Sequence, residues 1–82
     1  MERNSKFAEK LDSKTSLIYI VGQESLKIQN YKKILQYTQK EMVILLNQKI
    51  LHVKGENLNI EYFNEDEMCI CGHIKSITYQ GG

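Results

Sequence analysis

Three observations predict an all-β fold for this chain. Apolar residues recur at every second position from Leu17 almost to the end, the spacing that turns one face of a strand into a core. Turn residues break that alternation at short intervals, at Gly22-Gln23-Glu24, Gln29-Asn30-Tyr31-Lys32, Thr38-Gln39-Lys40, Asn47-Gln48, Gly55-Glu56 and Asn64-Glu65-Asp66. Finally, one strand phrase is written twice. Leu51-x-Val53-x-Gly55-x4-Ile60-x-Tyr62 returns as Met68-x-Ile70-x-Gly72-x4-Ile77-x-Tyr79, each position 17 residues after its counterpart. A weaker relative, Ile18-x-Ile20-x-Gly22 followed by Leu26-x-Ile28, stands upstream.

Taken in order, residues 1–16 are polar, with Lys6, Glu9, Lys10 and Lys14 around Phe7, Ala8 and Leu11. Phe7 and Leu11 lie four apart, so this segment is expected as a short amphipathic helix or as disordered chain. A single β domain is expected over 17–80. Its strands are predicted at 17–21, 25–29, 33–37, 42–46, 50–54, 57–62, 67–71 and 73–79, seven or eight short strands in all. In the fourth, Met42-Val43-Ile44-Leu45-Leu46 loses alternation; its β-branched residues and shortness favour a strand buried on both faces over a helix start. Tyr62 and Tyr79 share the parity of Ile60 and Ile77, which places them in the core or at its rim.

Connections of two to four residues favour antiparallel neighbours, since a parallel crossover needs a dozen residues or more. The expected architecture is an antiparallel meander curling into a small sandwich or partial barrel. The alternative is a short β-solenoid, in which the 17-residue repeat would stack in parallel coils and Val53 would lie under Ile70. An unclosed meander leaves two edge strands with unpaired backbone groups, and Lys27 and Lys75 are candidates to guard them.

With 82 residues, a chain buries only roughly 60–65% of its unfolded surface, so one core and a gain from self-association are expected. Eleven basic and ten acidic side chains give a formal net charge of +1 with no block of like charge, which argues against a dedicated polyanion binder. Both cysteines fall in Cys69-Ile70-Cys71. Positions i and i+2 of a strand are about 6.5–7 Å apart at Cα, at the limit of disulfide reach, so a reducing cytosolic compartment fits best. No apolar run reaches the ~18 residues of a membrane span, and Met1-Glu2-Arg3-Asn4 leads into no signal core.

Three chemical readings compete. Cys69, Cys71 and His73 are donors of the type that hold zinc, and period-two counting puts all three on the face opposite Met68 and Ile70. An extended strand spaces them too widely for easy convergence, so no metal and no cofactor are expected and the thiols read as small apolar side chains. Glu65-Asp66-Glu67 clusters carboxylates in a turn without the cleft that an acid–base pair needs, and Ser16, Ser25 and Ser76 lack a neighbouring base. No enzyme activity is expected. Tyrosines 19, 31, 37, 62 and 79 interleaved with lysines 27, 32, 33, 54 and 75 fit the general recipe for single-strand nucleic acid binding, which stands as the alternative function, a small cytosolic β-barrel module. What remains is interaction through a surface or a strand edge.

The succession Ile20-Val21-Gly22, Leu26-Lys27-Ile28-Gln29-Asn30-Tyr31-Lys32, Ile34-Leu35-Gln36-Tyr37, Leu51-His52-Val53-Lys54-Gly55-Glu56-Asn57-Leu58-Asn59-Ile60 and Ile70-Cys71-Gly72-His73-Ile74-Lys75-Ser76-Ile77-Thr78-Tyr79 resembles the YabP/YqfC family of sporulation proteins. Where that family carries an Ile-Glu-Asn-His-Lys-Gly phrase, this chain has Ile28-Gln29-Asn30-Tyr31-Lys32-Lys33. The resemblance implies a non-enzymatic structural or adaptor protein of spore coat or cortex assembly. It implies the mother-cell cytoplasm, peripheral to the forespore membrane, with a membrane-protein partner there. Homo-oligomerisation is expected, while nucleic acid binding and direct membrane insertion are not part of this reading. The interaction candidates are Asn30, Tyr31 and Lys32 in one turn and Gly55, Glu56 and Asn57 in another, each residue type also being one that turn geometry alone selects.

Overall fold

The computed structural model describes residues 15–81, so the amphipathic turn expected around Phe7 and Leu11 lies outside the described residues. Alternation builds six strands: β1 (Leu17–Val21), β2 (Ser25–Gln29), β3 (Lys33–Tyr37), β4 (Glu41–Leu45), β5 (Lys49–Phe63) and β6 (Glu67–Gly81). The first three occupy the predicted spans, and β4 is displaced by one residue. The count falls short of seven or eight because two predicted strand breaks do not exist. Gly55-Glu56 and Gly72 lie inside continuous strands of 15 residues each.

All pairings are antiparallel, in the order β1-β2-β6-β5-β4-β3. From β3 to β6 the chain is the expected meander. It departs from one where β6 closes on β2 instead of forming an edge. The solenoid is overturned by the same register: Val53 pairs with Ile77 and Ile70 with Ile60, across one antiparallel hairpin.

The sheet curls onto itself, and the β2–β3 link shows why it must. These strands lie four places apart in the sheet, about 19 Å if it were flat. Yet Gln29 and Lys33 are joined by four Cα–Cα steps, at most about 15 Å. The short link therefore crosses between two facing layers. One layer holds β1, β2, the first half of β6 and the second half of β5; the other holds the remaining halves with β4 and β3.

Between the layers lies the core. Leu26, Ile28, Met68 and Ile70 from one side and Met42, Ile44, Leu51 and Val53 from the other are fully buried in one cluster, with Leu58, Ile74 and Leu46 joining it. Each such side chain contributes about 1.5–3 kcal/mol on burial. In β4, Val43 is buried on the outer face as well, which explains why 42–46 shows no alternation in the sequence.

The long hairpin bends where the two glycines meet its partner strand. Gly55 packs against the His73 carbonyl, and Gly72, at φ 132°, against the backbone of Asn57 and Leu58. Register shifts flank this point between Lys54 and Gly55 and between Glu56 and Asn59, and bulges of this kind bend a strand and raise its twist. Both short hairpins dock there. Gly55 and Leu58 donate to the carbonyls of Lys40 and Gln39 in the β3–β4 turn, while Gly72 and Ile74 donate to Glu24 and Gln23 in the β1–β2 turn.

Candidate functional site

Asn30, Tyr31 and Lys32 form the link between the layers. Asn30 adopts φ 62°, a left-handed conformation that Asn tolerates better than most residues. Its side-chain amide donates to the Thr15 carbonyl at 2.8 Å, its own carbonyl accepts from Ser16 Oγ at 2.9 Å, and its N–H donates to Asp66. The Tyr31 hydroxyl donates to the Asn64 carbonyl, and burial raises its pKa. The Lys32 N–H donates to Leu45. The first interaction candidate thus consists of groups engaged in tying the layers together.

Gly55, Glu56 and Asn57 sit at the bend, not in a turn. Gly55 is buried, whereas Glu56 and Asn57 are exposed, Asn57 at φ 55°. Glu56 pairs with Lys75 at 2.7 Å. That bond and the lysine charge, with a smaller contribution from His73, hold the Glu56 carboxyl below its ordinary pKa.

The thiols meet a partner that alternation did not foresee. His73 is separated from Cys69 and Cys71 by the bend at Gly72 and pairs with Glu56 instead. Glu61 takes the place expected for it. The register shift between Ile60 and Tyr62 makes Glu61 an extra residue of β5, and its carboxylate accepts from Cys71 Sγ at 3.1 Å and from Cys69 Sγ at 3.4 Å. These bonds push the Cys71 thiol up to about 11 and hold Glu61 below the usual carboxylate range. Cys69 is buried and Cys71 partly so. The same shift turns Tyr62 away from the parity of Ile60. It pairs with Cys69, is 39% exposed and donates its hydroxyl to Glu67. Tyr79 keeps the core parity opposite Leu51, but at the far end of the sheet it is exposed beneath Lys49 Nζ.

The edges differ from expectation. Lys27 lies in β2 and Lys75 in β6, both interior strands, so neither guards an edge. The true edges are β3 and β1. The β1 sequence Leu17-Ile18-Tyr19-Ile20-Val21 carries no charge, its one partner strand among the described residues is β2, and Tyr19, Ile20 and Val21 are about half exposed or more. Alternation predicted this strand but could not show that it ends the sheet. That depends on β6, which starts at Glu67 far downstream, pairing with β2.

The tyrosines and lysines weighed as a nucleic-acid surface are spread over both layers. Tyr19 stands against Lys27, Lys75 against Glu56, Lys54 against Glu41, and Tyr31 is spent on Asn64. Among the described residues, no helix is long and apolar enough to cross a membrane.

A family model described as the YabP family matches residues 12–82, which takes in all six strands, the link at Asn30 and the bend at Gly55 and Gly72. The chain belongs to the YabP family. As a YabP-family member it is a sporulation-related protein. The bent hairpin, the Asn30 link and the uncharged edge are accordingly features of a YabP-family β sheet. No curated protein and no solved structure matches this chain.

Proposed function

We propose that this YabP-family protein is a non-enzymatic structural or adaptor component of spore coat or cortex assembly. It acts in the mother cell at the forespore surface and joins a second copy of itself by strand addition at β1. The observation that carries the reading is the edge itself. An edge strand presents a row of unpaired N–H and C=O groups, and most proteins blunt it with charge, proline or a cover. Here five consecutive uncharged residues, three of them well exposed, stand at the end of the sheet. Strand addition gives affinity through the backbone and specificity through alternate side chains.

The first partner is a second copy. Antiparallel pairing of β1 with its symmetry mate about Tyr19 sets Leu17 against Val21 and Ile18 against Ile20, so every cross-pair is apolar and the patch is complementary to itself, as a two-fold interface requires. The resulting dimer offers β3, the remaining edge, to a membrane-protein partner at the forespore.

Fluorescence microscopy of the tagged protein through growth and sporulation tests the reading. Signal confined to the mother cell and collected around the forespore is expected, and it should disperse in an Ile20→Lys variant. Diffuse signal throughout vegetative growth would sink the proposal and move single-strand nucleic acid binding to the front.

A further inference from the structure

We propose that Cys69, Cys71 and Glu61 form a binding site for one zinc ion on the outer face of the β2–β6–β5 layer. Three observations converge on it. The donor atoms of these residues all lie within 4.8 Å of one another. The two sulfur–oxygen separations, 3.1 and 3.4 Å to the same Glu61 oxygen, come close to the edge of about 3.5 Å between sulfur and oxygen ligands on tetrahedral zinc, given bonds of about 2.3 and 2.0 Å. And the pairing register holds the three together: Asn59 pairs with Cys71 and Ile60 with Ile70, so Glu61, the next residue of β5, lies beside both thiols.

The donor chemistry selects the ion. Two thiolates are soft ligands that favour zinc over calcium or magnesium, which demand oxygen. When the ion binds, the thiol protons leave to solvent and both sulfurs and the carboxylate bond the metal. Two thiolates and one carboxylate on a divalent cation leave one net negative charge, which Lys27, cross-strand from Cys69, balances. Glu61 is exposed and Cys71 partly so, so the fourth tetrahedral position opens on the solvent side, where water or a partner's side chain completes the set. Such an ion fastens β5 to β6 across the bulge.

The test uses the full reduced chain with zinc or cobalt(II) as the probe. Native mass spectrometry is expected to show one zinc per chain, and cobalt to give sulfur charge-transfer absorption with the visible bands of a tetrahedral ion. Cys71→Ser should abolish the charge-transfer signature of a two-thiolate site, and Glu61→Gln should weaken zinc affinity at least about tenfold. Both positions are away from the core, and circular dichroism checks that each variant keeps its β signal; buried Cys69 is left in place. Absence of uptake by the wild-type chain overturns the site. So does uptake that survives Cys71→Ser, or uptake that depends on Cys71 but is indifferent to Glu61→Gln. None of these outcomes bears on the sporulation reading, which rests on the family match, or on the strand addition proposed at β1.

Discussion

Gly55 and the His73 carbonyl are packed so tightly that a β-carbon on Gly55 would lie far inside van der Waals contact with the carbonyl oxygen. The obstacle is backbone on a paired strand, which cannot swing aside as a flexible side chain would. Gly55→Ala must therefore pry β5 from β6 at the bend on which both layers depend. The expected cost is at least about 2 kcal/mol, a drop in Tm of about 10 °C for a chain of this size. Thermal unfolding followed by circular dichroism measures it, and a variant as stable as the parent would contradict the packing described.

Asn30 anchors the start of the interlayer link to the beginnings of β1 and β6 through both backbone and side chain, and two substitutions separate these contributions. Asn30→Ala loses the bond to the Thr15 carbonyl and also places a residue that disfavours φ 62° in the left-handed region, for a combined loss of about 2 kcal/mol. Asn30→Gly keeps the backbone conformation available and loses mainly the bond, so its cost should be about half as large. Urea unfolding of the two variants reads the difference. Equal losses would mean that the left-handed backbone contributes nothing.

These two positions also show what was legible in the sequence. β1, β2 and β3 could be read residue by residue because polar turns bound them, although β2 alone of the three carries fully buried residues. Gly55 and Gly72 look like strand breaks in the sequence, since a turn and a bulged bend both select glycine for the same missing β-carbon. The 17-residue repeat belongs to that bend. It marks two strands of one antiparallel hairpin that kink at the same place, so the copies face each other instead of stacking. The slip after Ile60 left a fainter trace: Tyr62 and Phe63, two adjacent aromatics, break the period there, and the slip sets Tyr62 opposite Cys69 beside Glu61. The edge position of β1 left none, because strand order is set by pairings between residues far apart in the chain.

The Glu56–Lys75 pair gives a signed pH effect. Glu56 has a folded pKa below its ordinary value, chiefly through the hydrogen bond and charge of Lys75. Its contribution is thus fully present above the unfolded carboxylate pKa and is lost as pH falls through the lower folded value. The pair is about half exposed and screened by solvent, so the effect on overall stability is small. Residue-specific NMR titration should find Glu56 titrating low in the parent and returning towards the ordinary range in Lys75→Met. No change on that substitution would remove Lys75 as the cause.

The sharpest test of the edge is its charge. In the two-fold pairing about Tyr19, Ile20 of each copy opposes Ile18 of the other, so Ile20→Lys places two ammonium groups in one apolar seam. Each is 59% exposed in the monomer, which therefore tolerates the change, whereas the dimer must desolvate both. Disruption of the two cross-pairs at up to about 1 kcal/mol each weakens self-association by roughly tenfold or more, with the circular dichroism spectrum and Tm of the parent retained. Lys75→Met supplies the control. It removes a charge from β6, an interior strand that does not pair with β1, and should leave the association constant unchanged. Sedimentation equilibrium over a range of concentrations distinguishes the outcomes. If Ile20→Lys and the parent associate alike, β1 is not the seam, and the self-association proposed for it fails.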